Sequence, residues 1–162
     1  MTKGYIFIKT ENPIQDIPIR IDKKNKQLLM KTITKENNIM MEEIRRLISE
    51  GKTVSLTVKG HSMNPFIVHM RDQITLGPVR QEDIRPGTVA LVKDSRGSYL
   101  IHRITEVKDD TVTLIGDGNV GITETATHDN IIGVMYSLNR KGRIYSEKSR
   151  IWRIYSRIWM ML

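Results

Sequence analysis

The stretch TVALVKDSRGSYLIHRITEVKDDTVTLI, residues 88–115, decides the fold. It holds three apolar runs, Thr88–Lys93, Tyr99–Val107 and Thr111–Ile115, rich in the β-branched residues that suit a pleated surface. Asp94-Ser95-Arg96-Gly97 and Lys108-Asp109-Asp110 separate them. Connections this short leave no room for a helical crossover, so neighbouring strands run antiparallel.

Working outward, the same grammar continues. Val54, Leu56 and Val58 alternate with polar neighbours, and further strands are expected at Gln73–Leu76 and Ile131–Leu138. Gly77-Pro78, Pro86-Gly87 and Gly116–Asn119 supply the turns. No helix alternates with these strands, so a doubly wound parallel sheet is not expected. The expected fold is mainly β: a coiled antiparallel sheet or partly open barrel. Two helices flank it. Met40, Ile44, Leu47 and Ile48 form one helical stripe, stopped by Gly51. At the other end Ile151, Tyr155, Ile158, Trp159 and Leu162 share a helical face, with Ile154 beside it and Arg150, Arg153 and Arg157 off it. Such a basic amphipathic helix either packs on its own domain or lies on an anionic membrane.

The chain divides into a polar N-terminal extension over 1–39, a central domain over 40–138 and a basic tail over 139–162. The extension carries a weak alternation at Ile17–Ile21, then Lys23-Lys24-Asn25-Lys26, so it is either a short hairpin or a loose arm. The net charge of +8 is unevenly spread. Residues 1–39 hold eight basic and four acidic side chains, and residues 139–162 seven and one. The central domain, with eleven against thirteen, is nearly neutral. A nucleic-acid enzyme concentrates positive charge around its site, so nucleic acid is not the expected partner. There is no cysteine, hence no disulfide and no thiolate metal site. The four histidines, His61, His69, His102 and His128, lack metal-ligand spacing, and no glycine-rich phosphate loop precedes a helix. No cofactor or metal is expected. The opening Met1-Thr2-Lys3-Gly4-Tyr5 begins no signal-peptide apolar region, and no run of apolar residues is long enough to span a bilayer. The expected location is cytoplasmic or peripheral at a membrane.

Three stretches carry chemistry. Gly60-His61-Ser62-Met63-Asn64-Pro65 puts a serine on a tight turn after a strand. Tyr99-Leu100-Ile101-His102-Arg103-Ile104 puts a histidine inside a strand, on one face with Leu100 and Ile104. Gly116-Asp117-Gly118-Asn119 puts an acid on a glycine turn. A serine hydroxyl needs a base to become a nucleophile, and an imidazole with a pKa near 6.5 suits that task. The Ser62 N–H is the first candidate for an oxyanion donor. Asp117 is the expected orienting carboxylate, with Glu124 and Asp129 as alternatives. Asp72 is expected to be structural. Each stretch alone is also an ordinary turn or core strand; their occurrence together points to acyl transfer.

As an ordered set they resemble the signal peptidase I and LexA superfamily of serine peptidases. Val58–Phe66 resembles the nucleophile box, and Tyr99–Ile104 the base box, with His102 as in the endoplasmic-reticulum and archaeal type, where bacterial members carry lysine. Arg85-Pro86-Gly87-Thr88-Val89-Ala90-Leu91-Val92 is similar to the family's G-D-[IV]-V strand, with Thr88 in place of the usual Asp. Gly116–Asn119 resembles the G-D-x-N box, and Gly133-Val134 the strand that closes it. The histidine type carries a further Asp after this box; here the stretch is Val120-Gly121-Ile122-Thr123-Glu124, which brings Glu124 forward. The resemblance covers residues 40–138. It implies a serine endopeptidase acting on an extended peptide with small residues before the cut bond, such as a signal or leader peptide. Within these 162 residues no stretch is expected to act as the membrane anchor of signal peptidases or as the helix-turn-helix of LexA-type repressors, and the Ala-Gly or Cys-Gly dipeptide of the latter's cleavage bond does not occur. A non-catalytic peptide-binding module and a LexA-like transcriptional regulator are the alternative readings.

Overall fold

The computed structural model describes residues 38–161. The N-terminal extension and its candidate hairpin lie outside the described residues, apart from positions 38 and 39, which open helix α1 (38–49). Eight antiparallel strands follow: β1 (Val54–Thr57), β2 (Asp72–Gly77), β3 (Val89–Lys93), β4 (Tyr99–Lys108), β5 (Thr111–Ile115), β6 (Thr123–Thr127), β7 (Ile131–Arg140) and β8 (Arg143–Ser146). Helix α2 (Arg150–Met161) closes the described chain. The strands form one sheet in the order β1-β2-β7-β3-β4-β5-β6, with β8 pairing β7. The sheet does not close: β1 and β6 are its edges.

Its two faces bury separate cores, because β3 is apolar at every inward position of both. Val89 and Leu91 point into one core with α1, the Ser62 turn and Trp152. Ala90 and Val92 point into the other with Ile104, Val112, Leu114 and Val134. Successive strand residues face opposite ways, so an unbroken Val-Ala-Leu-Val run reads as a strand covered on both sides. Helix α1 buries Met41, Ile44 and Ile48, spaced along one face as the sequence pattern expects. It sits close to β7 because Gly133 has no side chain; a Cβ there would lie 2.7 Å from Ile48 Cδ1.

Two strands are absent from the sequence reading. β6, Thr-Glu-Thr-Ala-Thr, turns Glu124 and Ala126 inward, so a carboxylate stands where a hydrophobic signal would be. β8 is short and mostly exposed, with only Tyr145 turned toward the core. β7 runs on to Arg140, and β8 and α2 add to the same structure.

The tail helix divides differently from the expected stripe. Trp152, Tyr155, Ser156 and Trp159 turn inward, and Trp152 and Tyr155 pack edge-on and stacked against Phe66 at 5.0 and 4.8 Å. Ile151, Ile154 and Ile158 remain exposed. The expected face grouped Ile151 and Ile158 with Tyr155 and Trp159. The polarised core beneath instead selects the aromatic residues, because a buried guanidinium, Arg103, lies there and takes ring faces as partners.

Candidate active site

The Ser62 turn is held from behind. Gly60, in the segment after β1, adopts φ +123°, a conformation open to glycine, and its N–H donates to His69 Nδ1 at 2.9 Å. Met63, Phe66 and Ile67 then plunge into the core. Beneath them Asp72, with no exposed surface, accepts from the Val68 N–H and from Arg71 and Arg140, and Arg140 also donates to the Phe66 carbonyl at 2.7 Å. Burial alone would push the Asp72 carboxyl upward, but the two guanidinium groups and the Val68 N–H outweigh it and hold it down at about 2. Asp72 is thus structural, as expected.

His102 sits on β4 opposite Ala90 of β3, on the face shared by Leu100 and Ile104. Its Nδ1 lies 3.0 Å from Glu124 Oε2. The route between them crosses β5. Arg103 pairs with Ile115 and Leu114 with Glu124, so the imidazole reaches Glu124 across the end of β5, where Gly116 stands. A Cβ on Gly116 would come within 2.9 Å of His102 Nε2, so glycine keeps this passage open. Burial lowers the His102 pKa from its ordinary 6.5, against the opposing pull of the Glu124 charge and hydrogen bond. Burial thus favours the neutral ring, and with Glu124 accepting from Nδ1–H the lone pair falls on Nε2. Of the three candidate carboxylates, the structure brings Glu124 to the histidine. Asp129 is exposed in the short 3-10 turn after β6.

The serine turn and the histidine meet at Gly116. The same Cβ would clash with the Ser62 carbonyl oxygen, also at less than 3.0 Å. That oxygen and His102 Nε2 therefore lie no farther apart than twice this distance, although Met63, Phe66 and Ile67 of the turn pack into the core on the other face of the sheet. The Ser62 carbonyl accepts the Gly118 N–H at 2.8 Å, which locks the two turns together. Gly118 fits under the turn for the same reason as Gly116: a Cβ there would stand 2.9 Å from both the His61 and Asn64 carbonyl oxygens. Among the described residues, neither the Ser62 N–H nor its hydroxyl makes a hydrogen bond, and no bond joins the hydroxyl to His102. Ser62 itself is half-buried. Hydrogen bonds of this kind often form only in the substrate complex.

Asp117 does not orient the histidine. It forms a two-pronged ion pair with Arg103, at 2.8 Å to Nε and 2.7 Å to Nη2, and neither side chain has exposed surface. The reason is the strand period: Arg103 follows His102 and faces the opposite side of β4, and it takes Asp117 with it. Arg103 is a residue that the sequence reading left without a role. The signal was there, since an arginine between Ile101 and Ile104 in a covered strand requires a carboxylate. Its Nη1 donates to the Gly87 carbonyl and to Ser156 Oγ, both at 2.8 Å, and its guanidinium lies over Phe66, Tyr155 and Trp159. Trp159 Nε1 donates to the Asp117 carbonyl at 3.1 Å. Burial, with the Asp117 charge adding to it, pushes the Tyr155 hydroxyl up to about 12. Asp117 thus fixes the Gly116–Gly118 turn on which Ser62 rests, from the side of α2.

Among the described residues no group of three or more histidine, aspartate or glutamate side chains is placed to hold a metal ion. What the arrangement offers is an alcohol on a clamped turn, a neutral imidazole and a buried carboxylate behind it. Comparison of the chain with family models, with curated proteins and with solved structures finds no match.

Proposed function

We propose that this protein is a serine endopeptidase of the signal peptidase I and LexA type, with Ser62 as nucleophile, His102 as base and Glu124 as the carboxylate behind it. The observation that carries this reading is the meeting of the Ser62 carbonyl and His102 Nε2 at Gly116, with Glu124 on the far side of the ring. In the reaction, Ser62 Oγ attacks the scissile carbonyl carbon while His102 Nε2 takes its proton. Glu124 stabilises the imidazolium that forms, and the free Ser62 N–H donates to the oxyanion. The C–N bond then breaks as the imidazolium gives its proton to the leaving amine. Water, deprotonated by the same nitrogen, releases the acyl group from Ser62.

The substrate is an extended peptide, such as a signal or leader segment. β1 is an edge strand that pairs with β2 on one side and runs directly into the Ser62 turn, so a peptide added along its open edge arrives at the serine. The test is mass spectrometry of a peptide library incubated with the wild type and with Ser62→Ala. Cleavage at a defined position, lost in Ser62→Ala, is the expected result. Cleavage that survives Ser62→Ala would overturn Ser62 as the nucleophile, and no cleavage by the wild type while peptides still bind would replace this reading with that of a peptide-binding module.

A further inference from the structure

The inward side of α2 is fully engaged by Arg103, Phe66 and Asp117; its outward side is not. Ile151, Ile154, Ile158 and Met161 are 67%, 55%, 57% and 84% exposed. At 100° per residue these four fall within one side of the helix. Arg150, Arg153 and Arg157 fall together on the adjoining flank, all exposed, and none forms an ion pair with a described residue. Glu147 is the single acidic residue from 139 to 162, against seven basic ones. A soluble domain seldom leaves an aliphatic row uncovered on a helix it has already docked.

We propose that this face of α2 docks on an anionic lipid surface, the four aliphatic side chains entering the headgroup boundary and the three arginines meeting lipid phosphates. Charge selects this occupant. The arginine row is complementary to an anionic bilayer, whereas a second copy of α2 would bring a like-charged row to the same contact. The length agrees with lying on the bilayer: no helix among the described residues is long and apolar enough to cross a membrane. The helix is also preformed. Its aromatic anchors hold it folded on the domain, so binding need not supply the cost of helix nucleation. Trp159 joins α2 to the Asp117 carbonyl, so a docked helix holds the Gly116–Gly118 turn about one helix diameter, roughly 10 Å, from the lipid. The inference stands independently of the proteolytic reading.

The test is flotation of the full chain with vesicles of phosphatidylcholine alone and of phosphatidylcholine mixed with phosphatidylglycerol. The wild type is expected to float with the mixed vesicles only. Joint replacement Ile151→Ser, Ile154→Ser and Ile158→Ser should lower partitioning about tenfold or more at unchanged charge. Joint replacement Arg150→Gln, Arg153→Gln and Arg157→Gln should lower it on the order of 100-fold. All six positions are exposed, and near-ultraviolet circular dichroism checks that the fold survives. Three results would each overturn the proposal. One is isoleucine variants that float like the wild type, which would assign binding to charge elsewhere, including the lysines of the N-terminal extension. The others are a wild type that does not float and a concentration-dependent dimer that the isoleucine changes abolish while lipid has no effect.

Discussion

Replacing Arg103 by methionine is the sharpest test of the architecture, because it leaves the Asp117 carboxylate charged, without solvent and without its partner. In the native protein that carboxylate receives two charge-assisted hydrogen bonds at 2.7 and 2.8 Å, and neither side chain has exposed surface. Methionine keeps most of the apolar stem against Phe66, Tyr155 and Trp159, so the change isolates charge more than volume. Breaking a buried ion pair from one side costs about 3–5 kcal/mol. In a domain of this size that is a fall in melting temperature of roughly 10–25 °C. Asp117→Asn alone should cost a similar amount by stranding Arg103. The double variant should be more stable than the sum of the two losses predicts, by about 2–3 kcal/mol, since it removes both charges together. Urea unfolding followed by tryptophan fluorescence suits the measurement, as Trp159 lies over the guanidinium. A single variant within about 1 kcal/mol of the wild type, or strictly additive losses, would refute the view that this pair anchors the Gly116–Gly118 turn.

Three further outcomes are expected. Gly116→Ala should abolish peptide cleavage, by on the order of 100-fold or more, because the added methyl group separates the Ser62 turn from His102; steady-state kinetics with a cleaved library peptide measures it. Glu124→Gln removes the carboxylate that opposes the burial of His102, so the acidic limb of the pH–rate profile should move to lower pH while the rate falls; an unmoved limb would dissociate Glu124 from the base. Asp72 has a folded pKa of about 2 against an ordinary 3.8, so its stabilisation is complete above 3.8 and disappears as the pH falls through 2. Asp72→Asn should therefore lose about 2 kcal/mol at pH 7, and denaturation across that acidic range should show the gap to the wild type closing.

Several features were legible in the sequence because short-range chemistry determines them. Strand periodicity and turn residues are local, so β1 to β5 and β7 lie where alternation and Gly, Pro and Asp clusters put them. The placement of His102 with Leu100 and Ile104 on one face follows from the same period. The period also separated Arg103 from His102, yet the partner of Arg103 sits fourteen residues away, and no local pattern announces that distance. β6 escaped notice because its inward positions include Glu124, whose burial makes sense only once His102 is seen across β5.

By itself, then, the sequence determined the strand-rich class, the serine turn, the histidine strand and the helices at either end, since each depends on neighbours a few residues apart. Only the tertiary structure decided which carboxylate serves the histidine and which side of α2 stays open. The physical reason is that a buried charge is satisfied by whatever the folded sheet brings within hydrogen-bonding reach, and the chain register across β4, β5 and β6 gives His102 to Glu124 and Arg103 to Asp117.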